Sequence, residues 1–177
     1  MSVPTADFSV AIDASIELVW QIMTDFDRYA EWNPFVVKIE RHGGKPVEIG
    51  TRVTLHIRWP KGRGGTTTVE VVTRLDSPVA TADGERRAHL EYRYLGWVPR
   101  LRLITGSRVQ TLAQPPGGPT TYRTREEFHG LLKGQVPLRR VQGGFEAHAQ
   151  ALKARAEAMA GGAGAGVQAT GTSNRSM

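Results

Sequence analysis

Three side chains in this sequence sit where the surrounding pattern would let them move a proton. Glu126 shares its alternation parity with Tyr122, Thr124 and Phe128. If that parity faces an apolar interior, the carboxylate faces it too, and loss of water raises its pKa toward the range useful in acid/base chemistry. The alternative is a carboxylate in solvent or paired with an arginine. His148 falls on or beside the apolar stripe of the last periodic segment. There it either offers a hydrogen bond or proton to something bound, or simply packs. Tyr92, in step with Leu90 and Tyr94, brings a phenol to the same parity as its apolar neighbours.

Other chemistries are excluded by residue type or spacing. The chain has no cysteine, which removes thiolate nucleophiles, thiolate-bound zinc and disulfides, and makes a reducing cytoplasm the expected location. His56 and His89 lie on outward parity, His42 lies in a turn, and no two histidines have the i, i+4 spacing of a helical metal site. We expect neither metal nor cofactor. Gly62, Gly64 and Gly65 beside Lys61 and Arg63 superficially suggest a phosphate cradle, but such a loop opens a helix, whereas this one joins two predicted strands. It reads as a hairpin.

The net charge of +6 comes from 23 Lys and Arg against 17 Asp and Glu, with the densest basic clusters only pairs, Arg86-Arg87 and Arg139-Arg140. Without a recognisable motif, that charge does not make a nucleic-acid interface. No apolar run is long enough to cross a bilayer, and the N-terminus lacks the features of a secretory signal. The Gly/Ala-rich stretch 161–177 has little to bury and reads as a disordered tail after one domain, 6–160. Oligomeric state is left open.

Between prolines that read as boundary marks, apolar residues mostly alternate, the signature of half-buried strands. Phe8, Val10 and Ile12 share one face. Val53, Leu55, Ile57 and Trp59 share another, followed by Thr67, Val69, Val71 and Thr73. Ala88, Leu90, Tyr92 and Tyr94 form a further row; segments 35–41, about 101–113 and 120–129 bring the expected count to about seven strands. Helical spacing appears in two places. One follows Asp13, a candidate N-cap, with Ile16, Val19, Trp20 and Met23, and a second short helix over 25–30. The other runs from Leu138 to Met159 through Val141, Phe145, His148 or Ala149, Leu152 and Ala156, with Gly143-Gly144 interrupting it.

Strand, two short helices, six strands and a long helix make an α+β pattern. A twisted sheet of this size curls, and the terminal helix is the available cover for its concave face. A helix on a curved sheet touches it along only part of its length. Space remains unless large side chains fill it. The expected inward set mixes large and small groups, Trp59, Tyr92, Tyr94 and Phe128 beside Val71, Ala88, Thr105 and Ala149. A ligand cavity walled by Leu55, Ile57, Trp59, Val71, Tyr92, Tyr94, Phe128, Phe145 and Leu152 is therefore expected.

The stretches Val10–Trp20, Asp25–Pro34 and Thr124–Leu132 resemble the SRPBCC superfamily, the START-like or helix-grip fold, and within it bacterial proteins of polyketide cyclase/dehydrase type. The most specific marks are Tyr-x-x-Trp-Asn-Pro at 29–34 and Glu-x-Phe-x-Gly at 126–130. The resemblance implies an internal cavity for lipids, polyketides or aromatic molecules, reached between the terminal helix and the strand loops. It implies no reaction. A hydrophobic-ligand module is the leading expectation. A cyclase using Glu126, Tyr92 or His148 as acid/base groups is the alternative, and a chaperone-regulator-like interaction module the third.

Overall fold

The alternating segments pair into one antiparallel sheet, with the helical segments on its concave side. The computed structural model describes residues 3–43, 46–60, 64–95, 101 and 103–167, with side chains as far as residue 162. In chain order the elements are β1 (Thr5–Ile12), α1 (Ile16–Thr24), a 3-10 turn (Phe26–Arg28), α2 (Tyr29–Trp32), β2 (Val36–Arg41), β3 (Arg52–Arg58), β4 (Gly65–Ala80), β5 (Arg86–Leu95), β6 (Thr105–Gln114), β7 (Thr120–His129), a second 3-10 turn (Lys133–Gln135) and α3 (Leu138–Val167). The spatial order β1-β7-β6-β5-β4-β3-β2 is a meander, except that α1 and α2 carry the chain from β1 at one edge to β2 at the other.

Local chemistry explains where several elements differ from expectation. Ser15, not Asp13, caps α1, its hydroxyl accepting from the Leu18 amide at 3.3 Å. The Asp13 amide instead donates to Glu157 of α3. Pro78 lies inside β4 rather than at a boundary, where the β4–β5 register shifts between Asp76 and Val79. A bulge is one of the few places in a ladder that tolerates a missing amide donor. The helix α3 begins at Leu138 in spite of Gly143-Gly144, and continues to Val167, so residues 161–167 are helical rather than part of a tail. Extending an existing helix adds one hydrogen bond per residue fixed and needs no new nucleus. Residues 168–177 of the expected tail lie outside the described residues.

α3 is seated at two points. Gly144 passes so close to Phe35 that a Cβ there would lie 2.2 Å from the ring. One turn on, Asn33 reaches the helix. Its carbonyl oxygen accepts from the Phe35 and Val36 amides, both at 3.0 Å, which turns its amide nitrogen toward Nδ1 of His148 at 2.7 Å. Because that nitrogen can only donate, His148 accepts at Nδ1 and carries its proton on Nε2. Trp32 meets the imidazole edge-on and Tyr122 stacks on it, with ring centroids 5.4 and 5.8 Å away. The Tyr29 hydroxyl donates to the Met23 carbonyl. Residues 29–34 thus bind α1, β2 and α3 into one unit.

The two adjacent glycines should respond in opposite directions to the same change. Gly143 has open space around its missing Cβ, so Gly143→Ala is expected to stabilise by about 0.5–1 kcal/mol through helix propensity and reduced unfolded-state freedom. Gly144→Ala is expected to destabilise by roughly 1–3 kcal/mol through overpacking against Phe35. Thermal or denaturant unfolding of both variants checks the contrast.

Candidate functional site

Beyond its two seats the helix does not fill the bend of the sheet, and a cavity of about 320 Å³ lies between them. β2 supplies Val36 and β3 supplies Leu55 and Ile57, with Phe35 just before β2 and Trp59 just after β3; β7 supplies Phe128, and α3 supplies Val141 and Phe145. Gln135, Val136 and Pro137, just before α3, complete the wall. Most of this lining is apolar. One side is not: Glu70, Arg108 and Glu126 share the cavity with Thr66, Thr68 and Tyr94.

Strand register brings those three charged residues together. Arg108 pairs across the β6–β7 ladder with Glu126 and across the β5–β6 ladder with Tyr92. Gly106 makes room for the carboxylate, since a Cβ at that position would lie 2.7 Å from Glu126 Oε1. Burial, reinforced by the charge of Glu70, raises the Glu126 pKa to about 8 against the pull of Arg108. Burial also raises Glu70, opposed by the Thr68 hydroxyl, which donates to Glu70 Oε1 at 2.9 Å, and by Arg108. Both carboxylates touch the open space of the cavity while protein closes around them elsewhere.

Arg108 is 6% exposed. Its Nε donates to the Thr124 hydroxyl at 3.1 Å and its guanidinium carbon stands 4.4 Å from the centre of the Phe145 ring. The Nη2 group has no hydrogen-bond partner.

Of the residues expected from the sequence to wall a cavity, Leu55, Ile57, Trp59, Tyr94, Phe128 and Phe145 line this one. Three do not. Val71 is on the convex face, because the inward row of β4 is Thr66, Thr68, Glu70 and Val72, with Thr68 opposite Leu55 and Val71 opposite Arg52. Tyr92 is buried deeper, against Phe26 at 6.0 Å, with its hydroxyl unpartnered and its pKa raised by burial. Leu152 is fully buried further along α3. Thr105 belongs to the outer row of β6, whose inner row is Gly106, Arg108, Gln110 and Leu112. His148 is fully buried away from the lining, and burial holds its pKa well below the ordinary value, so it packs as a neutral imidazole. Of the three proton-moving candidates only Glu126 faces the cavity.

The residues that sequence reading missed, Glu70 and Arg108, share one cause. Near the cavity the inner rows of β4 and β6 are polar while Val69, Val71 and Val109 face outward. Hydrophobic alternation there points to the wrong face. The pairing register is the signal that recovers them. Among the described residues no group of His, Asp or Glu is arranged to hold a metal ion, and no helix is long and apolar enough to cross a membrane. The glycine loop joins β3 to β4, as its expected hairpin role requires, with residues 61–63 outside the described set.

Comparisons with known proteins agree on the fold. No curated protein matches the chain in sequence. Among solved structures it is similar to the di-domain ARO/CYC StfQ of the steffimycin biosynthetic pathway, at 17% identity and TM-score 0.65, over 90% of this chain and 52% of that one. The chain thus spans about half the length of that di-domain protein. It is also similar to norcoclaurine synthase from Thalictrum flavum, at 13% identity and TM-score 0.61, over 90% of this chain and 98% of that one. A major latex-like protein from Panax ginseng matches at 8% identity and TM-score 0.66, over 87% and 97% of the two chains. At such identities these likenesses establish the helix-grip fold, a sheet curled against a long terminal helix. Sequence evidence of kinship comes from the family described as polyketide cyclase/dehydrase and lipid transport, whose profile matches residues 4–157, and to that family this chain belongs.

Proposed function

We propose that this chain binds one small hydrophobic molecule between α3 and the inner face of the sheet. The observation that carries the reading is the mainly apolar cavity left between α3 and the sheet. Its volume of about 320 Å³ lies within the range of small-ligand pockets. Phe35, Leu55, Ile57, Phe128 and Phe145 offer flat and branched apolar surface around it. An apolar ligand set against these groups would gain dispersion contacts and bury apolar surface. The family description and the neighbours' names point to polyketides, lipids and aromatic molecules as the classes to test. A protein-interaction role is less well supported, since it calls for a filled interior.

Acid/base catalysis is the second reading, and the observation favouring it is Glu126. With a pKa of about 8 its carboxyl holds a proton at neutral pH. Beside it, the free amino group of Arg108 can hold a carbonyl oxygen. A proton donor next to a fixed cation suits dehydration or ring closure of a hydroxy-carbonyl substrate.

The binding reading predicts that an apolar fluorescent probe binds with about one-to-one stoichiometry. Ile57→Trp and Thr68→Trp should each block uptake by filling the cavity, while Val71→Trp on the convex face should not. Uptake that persists in both cavity variants would remove the site.

Glu126 also predicts a pH dependence of stability. Its folded pKa lies above the ordinary 4.5, so the fold loses nothing to this group below pH 4.5. It loses progressively more as pH rises through about 8, because ionisation is easier in the unfolded chain. Glu126→Gln should therefore melt close to wild type at pH 5 and several degrees higher at pH 9. Equal melting temperatures across that range would show that the carboxyl is not held in an apolar site. For the catalytic reading, the same variant should abolish turnover.

A further inference from the structure

Arg108 is a charged donor in the wall of the proposed binding cavity that the fold leaves unanswered. Its Nη2 is buried without an acceptor, and no ion pair joins it to Glu70 or Glu126 among the described residues. The other polar groups around it do not supply an anion. On β5, Tyr92 stands directly across the ladder with its own hydroxyl unpartnered, and Tyr94 lines the cavity. On β7, the Tyr122 hydroxyl already donates to Gln110 and the Thr124 hydroxyl accepts from Arg108. On α3, one turn beyond Phe145, neutral His148 presents an Nε2–H with no acceptor. Of these unpartnered donors only Arg108 lines the cavity, and it is the cation; Tyr92 and His148, set away from the lining, need acceptors themselves and supply it with none. Buried polar groups are ordinarily satisfied, and this arrangement calls for an oxygen that only accepts.

Resting on the hydrophobic-ligand reading above, we propose that the ligand is an acidic amphiphile whose carboxylate or phenolate oxygen sits on Arg108, and that the Glu70–Glu126 pair takes up a proton from solvent as it binds. The charge count gives the reason. With both glutamates ionised, Arg108 faces two negative charges inside the cavity, and an anionic ligand brings a third. The ligand engages the guanidinium that had offset the carboxylates, so their mutual repulsion is relieved only by protonation. Burial already leans Glu126 and Glu70 that way. A cationic amphiphile would meet the unpartnered guanidinium nitrogen of Arg108 with a like charge, and a neutral one would leave that charge without a partner.

Titration calorimetry on the unaltered protein tests this with three probes of one shape: 2-naphthoate, 2-naphthamide and 2-naphthylmethylammonium. The naphthoate should bind about tenfold or more tighter than the amide, and the ammonium weakest. At pH 8.5, runs in buffers of different ionisation enthalpy should show net proton uptake with naphthoate alone, and its affinity should fall toward about tenfold per pH unit above that. Arg108→Gln should erase the preference for naphthoate over the amide, and Glu126→Gln should reduce the proton count. Equal binding of naphthoate and amide, preference for the ammonium, or no proton uptake each overturns the inference while the cavity remains a ligand site. If none of the three probes binds, the ligand reading itself falls.

Discussion

The seating of α3 is the constraint on which the rest of this structure depends. Gly144 lets the helix backbone approach the Phe35 ring, and Asn33 ties His148 to the start of β2. These contacts fix where the helix meets the sheet, and so also where it stands clear. Had residue 144 carried a side chain, the helix would be held off Phe35 and the cavity wall beside it would change. Asn33 serves three partners with one amide: two backbone donors near the sheet edge and an imidazole on the helix. That division of its oxygen and nitrogen leaves His148 a single tautomer and makes the histidine part of the framework.

The cavity concentrates features that work against stability. Two carboxyl groups are partly buried with raised pKa values, a guanidinium lacks a partner for one nitrogen, and apolar walls line a cavity. Each is unfavourable in isolation. Elsewhere the interior follows ordinary rules, with Ile12, Ile16, Met23, Leu90 and Leu112 fully or almost fully buried. Unfavourable features gathered around one cavity are what a site built for a ligand looks like, because groups unsatisfied in the free protein are those a ligand can satisfy. The surrounding strands bear the cost through a continuous ladder from β1 to β2.

Much of the fold was legible because its signals are local. Strand alternation in β1, β3, β5 and β7, the apolar stripe of α3 and the 29–34 motif depend on residues near one another in the chain, and the expected seven-strand, helix-covered architecture is the one observed. Glu126 was placed by the same logic, because β7 alternates cleanly through Tyr122, Thr124 and Phe128. The expected walls Tyr92 and Leu152 show the limit of that logic, since a parity or a stripe identifies a face without saying how far along it a void begins; Val71 shows another, since the apolar parity of β4 is the convex one there.

From sequence alone came the element order, the curved sheet with its helical cover, and a carboxylate aimed inward, all consequences of periodicity along the chain. Tertiary structure decided the inward rows of β4 and β6, the meeting of Glu70, Arg108 and Glu126, and the structural role of His148. The reason is physical: hydrophobic pattern reports a strand's orientation only where the interior is apolar. At this cavity the interior is partly polar, so the facing of those strands is set by hydrogen-bond register with their neighbours.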